Sequence, residues 1–313
     1  MTKLFIRIAA ILFFSFSASA QKTILLTEQA QNRLLIVEQQ SGQTIWEWLP
    51  QQSNVAPEHF SWFKNISEAK PLFNRKYVLL TASGGAVALV RISDKKTMFY
   101  ANAGNNPHSA ELLPDGNIVS AASTGNVMTL FKVDTANALH SGYRKTYYLK
   151  EGHNVVWDKK RQLLWATSGD TLKAFSYSGN CLKPELTEKE KILLPGPEAH
   201  DLFPVFGKDE LWFTNVSGFY KFSLKTKTFT KFPANDARNI KSVSSGPAGY
   251  PVIAMRPKEK WWTDEVTDNM GKSLYKLKGL KIYKARWFVD NQFSYPKKHV
   301  FNLCQQKAYL NTQ

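Results

Sequence analysis

Short apolar runs that alternate with turn residues dominate this chain. The runs are rich in Val, Ile, Phe, Tyr and Trp, and clusters such as Asp115-Gly116 and Ser217-Gly218 separate them. Side chains of this kind favour strands, and such clusters favour tight turns. Helical periodicity is almost absent, and only Thr263–Lys276 is compatible with a helical turn or an inserted loop. The pattern predicts strands at Ile24–Leu26, Leu34–Val37, Tyr77–Thr81, Val87–Arg91, Ile118–Ala121, Met128–Lys132, Leu163–Ala166, Leu172–Phe175, Leu211–Thr214 and Phe219–Phe222.

The strand pattern repeats, and a histidine opens three consecutive repeats. His108, His153 and His200 are 45 and 47 residues apart, and each precedes a strand-turn-strand-turn-strand segment. Repeats of this length that hold several strands are typical of a β-propeller. We therefore predict an all-β propeller of six four-stranded blades, with seven left open. The predicted blade starts lie near residues 22, 68, 106, 151, 198 and 239, and LKGLKIYKARWF near the C-terminus is expected to complete the sixth blade.

The first strand of a propeller blade is the innermost, so the three histidines are expected at one mouth of the central channel. At the equivalent register we place Lys70 in the second repeat and Lys241 in the sixth. A concave site that combines titratable groups and cations is a candidate binding or catalytic pocket. The candidate catalytic residues are His108, His153 and His200. The candidate substrate-binding residues are Lys70, Lys241, Asn106, Asn154 and Asp201.

Three chemical interpretations of this site remain open, beside a structural one. The three histidines could ligate a divalent metal such as Mn, Zn or Ca. A histidine could instead act as a general base next to a sugar carboxylate that Lys70 and Lys241 neutralise. The site could also bind an acidic ligand without turnover. In the structural interpretation, each histidine only hydrogen-bonds to the neighbouring blade.

The N-terminus and the charge of the chain bear on location and partners. Residues 1–20 carry Lys3 and Arg7, an apolar run and a small-residue end, which is the layout of a signal peptide. The mature chain, residues 21–313, is then one secreted or periplasmic propeller domain with no transmembrane segment, expected to be a monomer. Without the signal the net charge falls from +16 to +14. Such a charge attracts polyanions, among which we expect an acidic glycan and no nucleic acid.

Two further features qualify this picture. Cys181 and Cys304 are the two cysteines, and in an oxidising compartment they could pair or remain separate thiols. Trp261-Trp262, within KEKWWTDEV, could be exposed aromatics that stack on sugar rings or could be buried core residues. No nucleophile elbow, P-loop or dinucleotide fingerprint is present.

The chain resembles an uncharacterised family of secreted bacterial six-bladed propellers through the segments PHSAELLPDGNIVSAASTGN, GHNVVWDKKRQLLWA and HDLFPVFGKDELWFT. That resemblance implies an exported, glycan-associated propeller. The chain is more loosely similar to propeller polysaccharide lyases such as oligogalacturonate lyases, which also place histidines around a central funnel, but it lacks a close match to their full motif set.

Together these observations predict an exported propeller that binds or processes an acidic carbohydrate at a His- and Lys-lined channel mouth. If the protein is an enzyme, the first expectation is a lyase acting by β-elimination, with His153 or His200 as the base. Glycoside hydrolysis ranks lower, because no carboxylate pair at acid/base spacing is recognisable. The alternative is a non-catalytic propeller that binds a glycan or a protein.

Overall fold

Four-stranded antiparallel sheets arranged around a channel make up most of the protein. The computed structural model describes residues 21–140 and 142–298. Four of the sheets are continuous in sequence, each with its strands in chain order from the channel outward. They are blade 2, β4 (Ile66–Leu72), β5 (Tyr77–Ala82), β6 (Ala86–Arg91) and β7 (Thr97–Asn102); blade 3, β8 (Pro107–Leu112), β9 (Ile118–Ala122), β10 (Val127–Phe131) and β11 (Arg144–Tyr148); blade 4, β12 (Val155–Asp158), β13 (Leu163–Ser168), β14 (Thr171–Tyr177) and β15 (Leu186–Leu193); and blade 5, β16 (Ala199–Pro204), β17 (Glu210–Asn215), β18 (Phe219–Ser223) and β19 (Thr228–Lys231).

Blade 1 joins the two ends of the described chain. Its inner strand is β24 (Ile282–Trp287), which pairs antiparallel with β1 (Thr23–Glu28), and β2 (Arg33–Glu38) and β3 (Thr44–Trp48) follow outward. The closing segment was predicted in the sixth blade, and that assignment is wrong. Because the last strand completes the first sheet, backbone hydrogen bonds close the ring.

Between blade 5 and β24, two hairpins replace a complete blade. They consist of β20 (Ser242–Ser244) with β21 (Ile253–Met255), and β22 (Glu265–Thr267) with β23 (Ser273–Lys276). A single bridge from Ile253 to Asp268 connects them. The prediction of six four-stranded blades is therefore corrected to five plus these two hairpins. Residues 245–252 read SGPAGYPV, and prolines cannot donate to a strand ladder, so β20 and β21 stay short.

Apolar clusters between neighbouring sheets hold the ring together. Trp157, Trp165 and Trp212 are each no more than 2% exposed and belong to three of these clusters. Leu25 and Val78 pack between blades 1 and 2, and another cluster joins the hairpins to β24. Burial of apolar area between sheets is the main favourable term in such a fold. All ten strands predicted from the apolar runs are present, and their ends agree to within about two residues.

The remaining described elements are short. Two 3₁₀ helices, Pro50–Gln52 and Pro57–Phe63, connect blade 1 to blade 2. No helix among the described residues has the length and hydropathy to cross a membrane. Cys181 is disulfide-bonded, and Cys304, like the predicted signal segment 1–20, lies outside the described residues.

Candidate functional site

The inner strands all begin at the same end of the channel, which we call the mouth. In β8 and β16 the histidine, His108 or His200, is the extra residue of a β-bulge. The same bulge in β4 holds Ser67, whose hydroxyl donates to the Pro107 carbonyl over 2.5 Å. Ser67 is thus the counterpart of His108, and the register predicted for Lys70 is wrong by three residues. β4 carries no histidine at this position, so the spacing of the histidines did not fix its register.

Five side chains form the mouth ring, and each comes from a different inner strand or from the residues just before one. They are His108, His153, His200, Lys241 and Tyr283. The His108 and His153 rings stack with centroids 4.7 Å apart, and the His153 and His200 centroids are 6.4 Å apart. Lys241 Nζ lies 2.9 Å from His200 Nε2. The prediction that the three histidines and Lys241 come together is confirmed.

Tyr283 is the member of the mouth ring that the sequence did not reveal. It lies on β24, and its ring centroid is 6.0 Å from that of His108. In these inner strands a polar residue directly follows the mouth-ring residue: Lys284 follows Tyr283, Ser109 follows His108, and Asp201 follows His200. That correspondence could have identified it, had the last strand been assigned to the channel wall.

Hydrogen bonds fix the protonation of the histidine rings. The Lys241 ammonium donates to Nε2 of His200, so this nitrogen carries a lone pair. His153 donates from Nδ1 to the Glu151 carbonyl over 2.8 Å, which leaves Nε2 as the acceptor. His108 Nδ1 is buried and has no hydrogen-bond partner in the part of the chain that the structure describes.

Burial and neighbouring positive charge keep all three rings neutral. Burial lowers the pKa of His153 to about 4, and Lys284 and Lys241 add to this effect. Burial, with Lys241 as the next cause, lowers the pKa of His200 to about 3. The pKa of His108 is also well below its usual value, through burial and the adjacent His153. Burial is the largest cause of all three shifts, so the rings stay neutral mainly because they are desolvated, and the nearby lysine charges add to this effect.

Lys241 responds to the same environment. Burial, followed by the charge of Lys284, lowers its pKa to about 8. Near neutral pH its ammonium therefore stays charged, and a small rise in pH neutralises it. A partly buried cation with a pKa this low is a functional candidate.

The rings are not arranged to hold a metal ion. Nitrogen lone pairs lie in the plane of an imidazole, and the His108 and His153 planes differ by only 11°. Their lone pairs therefore do not converge on one point, as coordination requires. Among residues 21–140 and 142–298, no group of three or more His, Cys, Asp or Glu side chains could hold a metal ion. The residues present do not fit the predicted Mn, Zn or Ca site.

Below the mouth ring lies a buried ion cluster of Glu68, Asp201, Lys284 and Arg286. Arg286 donates to both oxygens of Asp201 at 2.6 Å and to Glu68 at 2.7 Å. Lys284 Nζ is 3.1 Å from Asp201. All four side chains are at most 1% exposed. Asp201, predicted to bind substrate, therefore neutralises the cations of the channel wall.

The other predicted binding residues also lie away from the mouth ring. Lys70 is 2% exposed and pairs with Glu111 at 3.0 Å, deeper in the channel. Asn154 is buried beneath His153, with Nδ2 3.5 Å from Asp201 Oδ1. Asn106 donates to the hydroxyls of Ser123 and Thr124 at 3.1 Å and so holds a turn of blade 3.

The opposite end of the channel is covered by the segment after β24. Tyr295 donates to Glu111, and Lys159 Nζ donates to the Tyr295 carbonyl over 2.9 Å. Two clefts of about 280 Å³ flank this segment, one lined by residues 71–75 and one by residues 158–160. Asp158 and Asp209 at the second cleft are already paired with Arg161. The neutral rings and Lys241 lie at the mouth ring, so we regard the mouth as the candidate site.

Comparisons with known proteins support the fold and leave the chemistry open. No curated protein matches the chain. A crystal structure of a protein of unknown function from Bacteroides caccae is similar, with a TM-score of 0.55, 14% identity, and coverage of 85% of this chain and 98% of that chain. A chain of the mitotic checkpoint complex has a TM-score of 0.49 at 14% identity, covering 74% of this chain and 67% of that one. The dihydro-heme d1 dehydrogenase NirN in complex with DHE has a TM-score of 0.47 at 12% identity, covering 85% of this chain and 56% of that one. At such identities the likeness concerns the fold alone.

The model of the family of unknown function DUF6528 matches residues 15–305, and the chain therefore belongs to that family.

Proposed function

We propose that this protein is exported and that its mouth ring binds a carboxylate-bearing carbohydrate. The observation that carries the proposal is Lys241, a partly exposed cation that lies beside neutral, stacked rings and forms no ion pair among the described residues. Burial is the largest cause of the low pKa of His153 and His200, and Lys241 lowers both further, so the charge of Lys241 can also stabilise an anion at the same place.

The ring geometry favours a sugar acid over a simple inorganic anion. The His108, His153 and His200 side chains are partly exposed, so their rings can contact the C–H groups of a pyranose at the mouth. Lys241 lies beside His200 and can pair with a carboxylate on the sugar. Pockets of this composition, mostly flat rings with a few fixed polar groups, are typical of small-molecule sites.

A β-elimination lyase is the catalytic form of this proposal. The base takes the proton from the carbon next to the carboxylate, the electron pair forms a C=C bond, and the C–O bond to the leaving sugar breaks, with a proton returning to that oxygen. The low pKa values of His153 and His200 make both weak bases. Lys241 is charged near neutral pH and neutralises the sugar carboxylate, so the base is a neutral imidazole, and His153, whose Nε2 carries a lone pair, takes this role.

Calorimetric titration with uronate oligomers and their neutral counterparts tests the binding proposal. Lys241→Ala should weaken uronate binding by about tenfold or more, because a charge-assisted contact contributes ~1.5–3 kcal/mol. The matched control is Lys225→Ala, an exposed lysine in the turn between β18 and β19 at the opposite end. Absence of uronate binding, or equal binding by both variants, would refute the proposal.

Product formation separates the catalytic and binding forms. A lyase produces an unsaturated uronate that absorbs in the near ultraviolet, in the presence or absence of chelator. His153→Ala and His200→Ala should then reduce turnover while thermal stability stays nearly intact. If both variants only lower the melting temperature, the histidines have a structural role. If binding occurs without product, the protein is a non-catalytic binder.

A further inference from the structure

The loop between β21 and β22 differs from its counterparts in the complete blades. Where the second strand meets the third, those blades have short turns, such as residues 83–85 in blade 2 and 169–170 in blade 4. Here residues 256–264 form a longer excursion at the mouth end. The loop turns toward the closing strand, because Thr263 pairs with Ile282 at the start of β24.

This loop carries an exposed indole that is fixed in position. The Trp261 side chain is 45% exposed, and its Nε1 donates to Gln29 Oε1 over 3.0 Å. Gln29 is itself held, since its Nε2 donates to the Ile66 carbonyl at 3.0 Å and its backbone N–H donates to the Lys281 carbonyl at 2.8 Å. An exposed aromatic ring held at its polar edge presents a face that loses little conformational freedom when a ligand binds.

The surroundings of the indole are basic. Lys260 Nζ lies 5.9 Å from the Trp261 ring centroid, and Lys281 Nζ lies 5.0 Å from the Trp262 ring centroid. Both lysines are exposed. Lys281 precedes β24, and Tyr283 of the mouth ring is two residues further, about 7 Å along an extended strand. The Trp261 indole and the mouth ring therefore lie at the same end of the channel.

We propose that the Trp261 face and the flanking Lys260 and Lys281 form a second sugar subsite, so that the ligand is an acidic oligosaccharide and not a single sugar acid. This inference rests on the proposed function. One uronate unit occupies the mouth ring, and a later unit stacks on Trp261 with its carboxylate near the lysines. The positive charges of Lys260 and Lys281 favour an acidic chain over a neutral one.

The test compares mono-, di-, tri- and tetragalacturonate, and the corresponding mannuronates, by calorimetry. In the wild-type protein the affinity should rise with chain length. Trp261→Ala should lower the affinity for the longer chains about tenfold and leave the monosaccharide affinity unchanged. Trp261→Phe, which keeps a flat ring, should retain part of the gain. Tyr148→Ala, at a 74% exposed tyrosine on the outermost strand of blade 3, is the matched control.

The outcomes distinguish the subsite from the site on which it depends. If a monosaccharide binds in a Lys241-dependent manner but Trp261→Ala leaves the length dependence intact, the subsite is refuted and the mouth ring stands. If the wild-type protein binds none of these uronates, both proposals fail. A length gain that Trp261→Ala abolishes and Tyr148→Ala leaves unchanged supports the subsite.

Discussion

Replacing Asp201 by asparagine should reveal how much the fold depends on the buried ion cluster. The Asp201 carboxylate accepts two bonds of 2.6 Å from Arg286, one of 3.1 Å from Lys284 and one of 2.8 Å from the Val243 backbone N–H. Asn is nearly the same size and keeps one oxygen. The substitution thus removes one negative charge and turns an amide NH₂ toward a cation, with little change in packing.

The cost follows from the charges that remain. Without the Asp201 carboxylate, Arg286 and Lys284 share only Glu68, and all three are at most 1% exposed. Removal of one partner from a buried ion pair costs ~3–5 kcal/mol, because the other charge stays buried without compensation. For a domain of this size, at ~2 °C per kcal/mol, the melting temperature should fall by roughly 6–10 °C.

Thermal and urea unfolding of the wild-type protein and of Asp201→Asn provide the measurement. Asp94→Asn is the control, because Asp94 forms an exposed pair with Arg91 at 2.6 Å, and exposed pairs contribute within ~1 kcal/mol. Burial opposes ionisation of Asp201, but the charges of Arg286 and Lys284 prevail and lower its pKa to about 2 from 3.8. The carboxylate therefore stabilises the fold above pH ~4, and this contribution is lost as the pH falls through about 2. Equal losses for the two variants, or a difference that does not shrink in acid, would refute the reasoning.

Three further predictions concern the ends of the channel. Uronate affinity should fall as the pH rises through about 8, the pKa of Lys241, because a neutral amine no longer pairs with a carboxylate; Lys241→Arg should keep its affinity at higher pH, and a flat calorimetric profile would contradict the site. The unfolding free energy should fall by ~1–3 kcal/mol as the pH drops from 6.5 to about 4, because the unfolded chain protonates His153 first; His153→Gln should reduce this slope in urea titrations. Tyr295→Phe should cost ~1–3 kcal/mol because Glu111 loses a buried donor, whereas Tyr148→Phe, at an exposed tyrosine, should cost nothing measurable in the same assay.

The strands predicted from the sequence are those whose two faces both pack against apolar neighbours. Runs such as Leu163–Ala166 and Leu211–Thr214 lie in the middle of their sheets, where neighbouring blades cover both faces. Such strands read as continuous apolar runs. The inner strands read ISEAKPL, PHSAEL and AHDLFP. Their channel-facing side chains are polar, so hydropathy alone did not mark them, and only the recurring histidine did.

The same physical difference explains which part of the site was found. A repeated histidine is visible as a spacing, so the amino-acid sequence alone places His108, His153 and His200 at one mouth. The ion cluster is not visible in this way, because Glu68, Asp201 and Arg286 come from three distant segments and are paired only by ring closure. Since β24 closes the ring, it contributes Tyr283 to the mouth and Lys284 and Arg286 beneath it. As long as β24 is assigned elsewhere, Asp201 resembles a ligand-binding acid. With Arg286 and Lys284 in place, the carboxylates of the channel are matched, and Lys241 at the mouth remains as a cation without a carboxylate partner among the described residues.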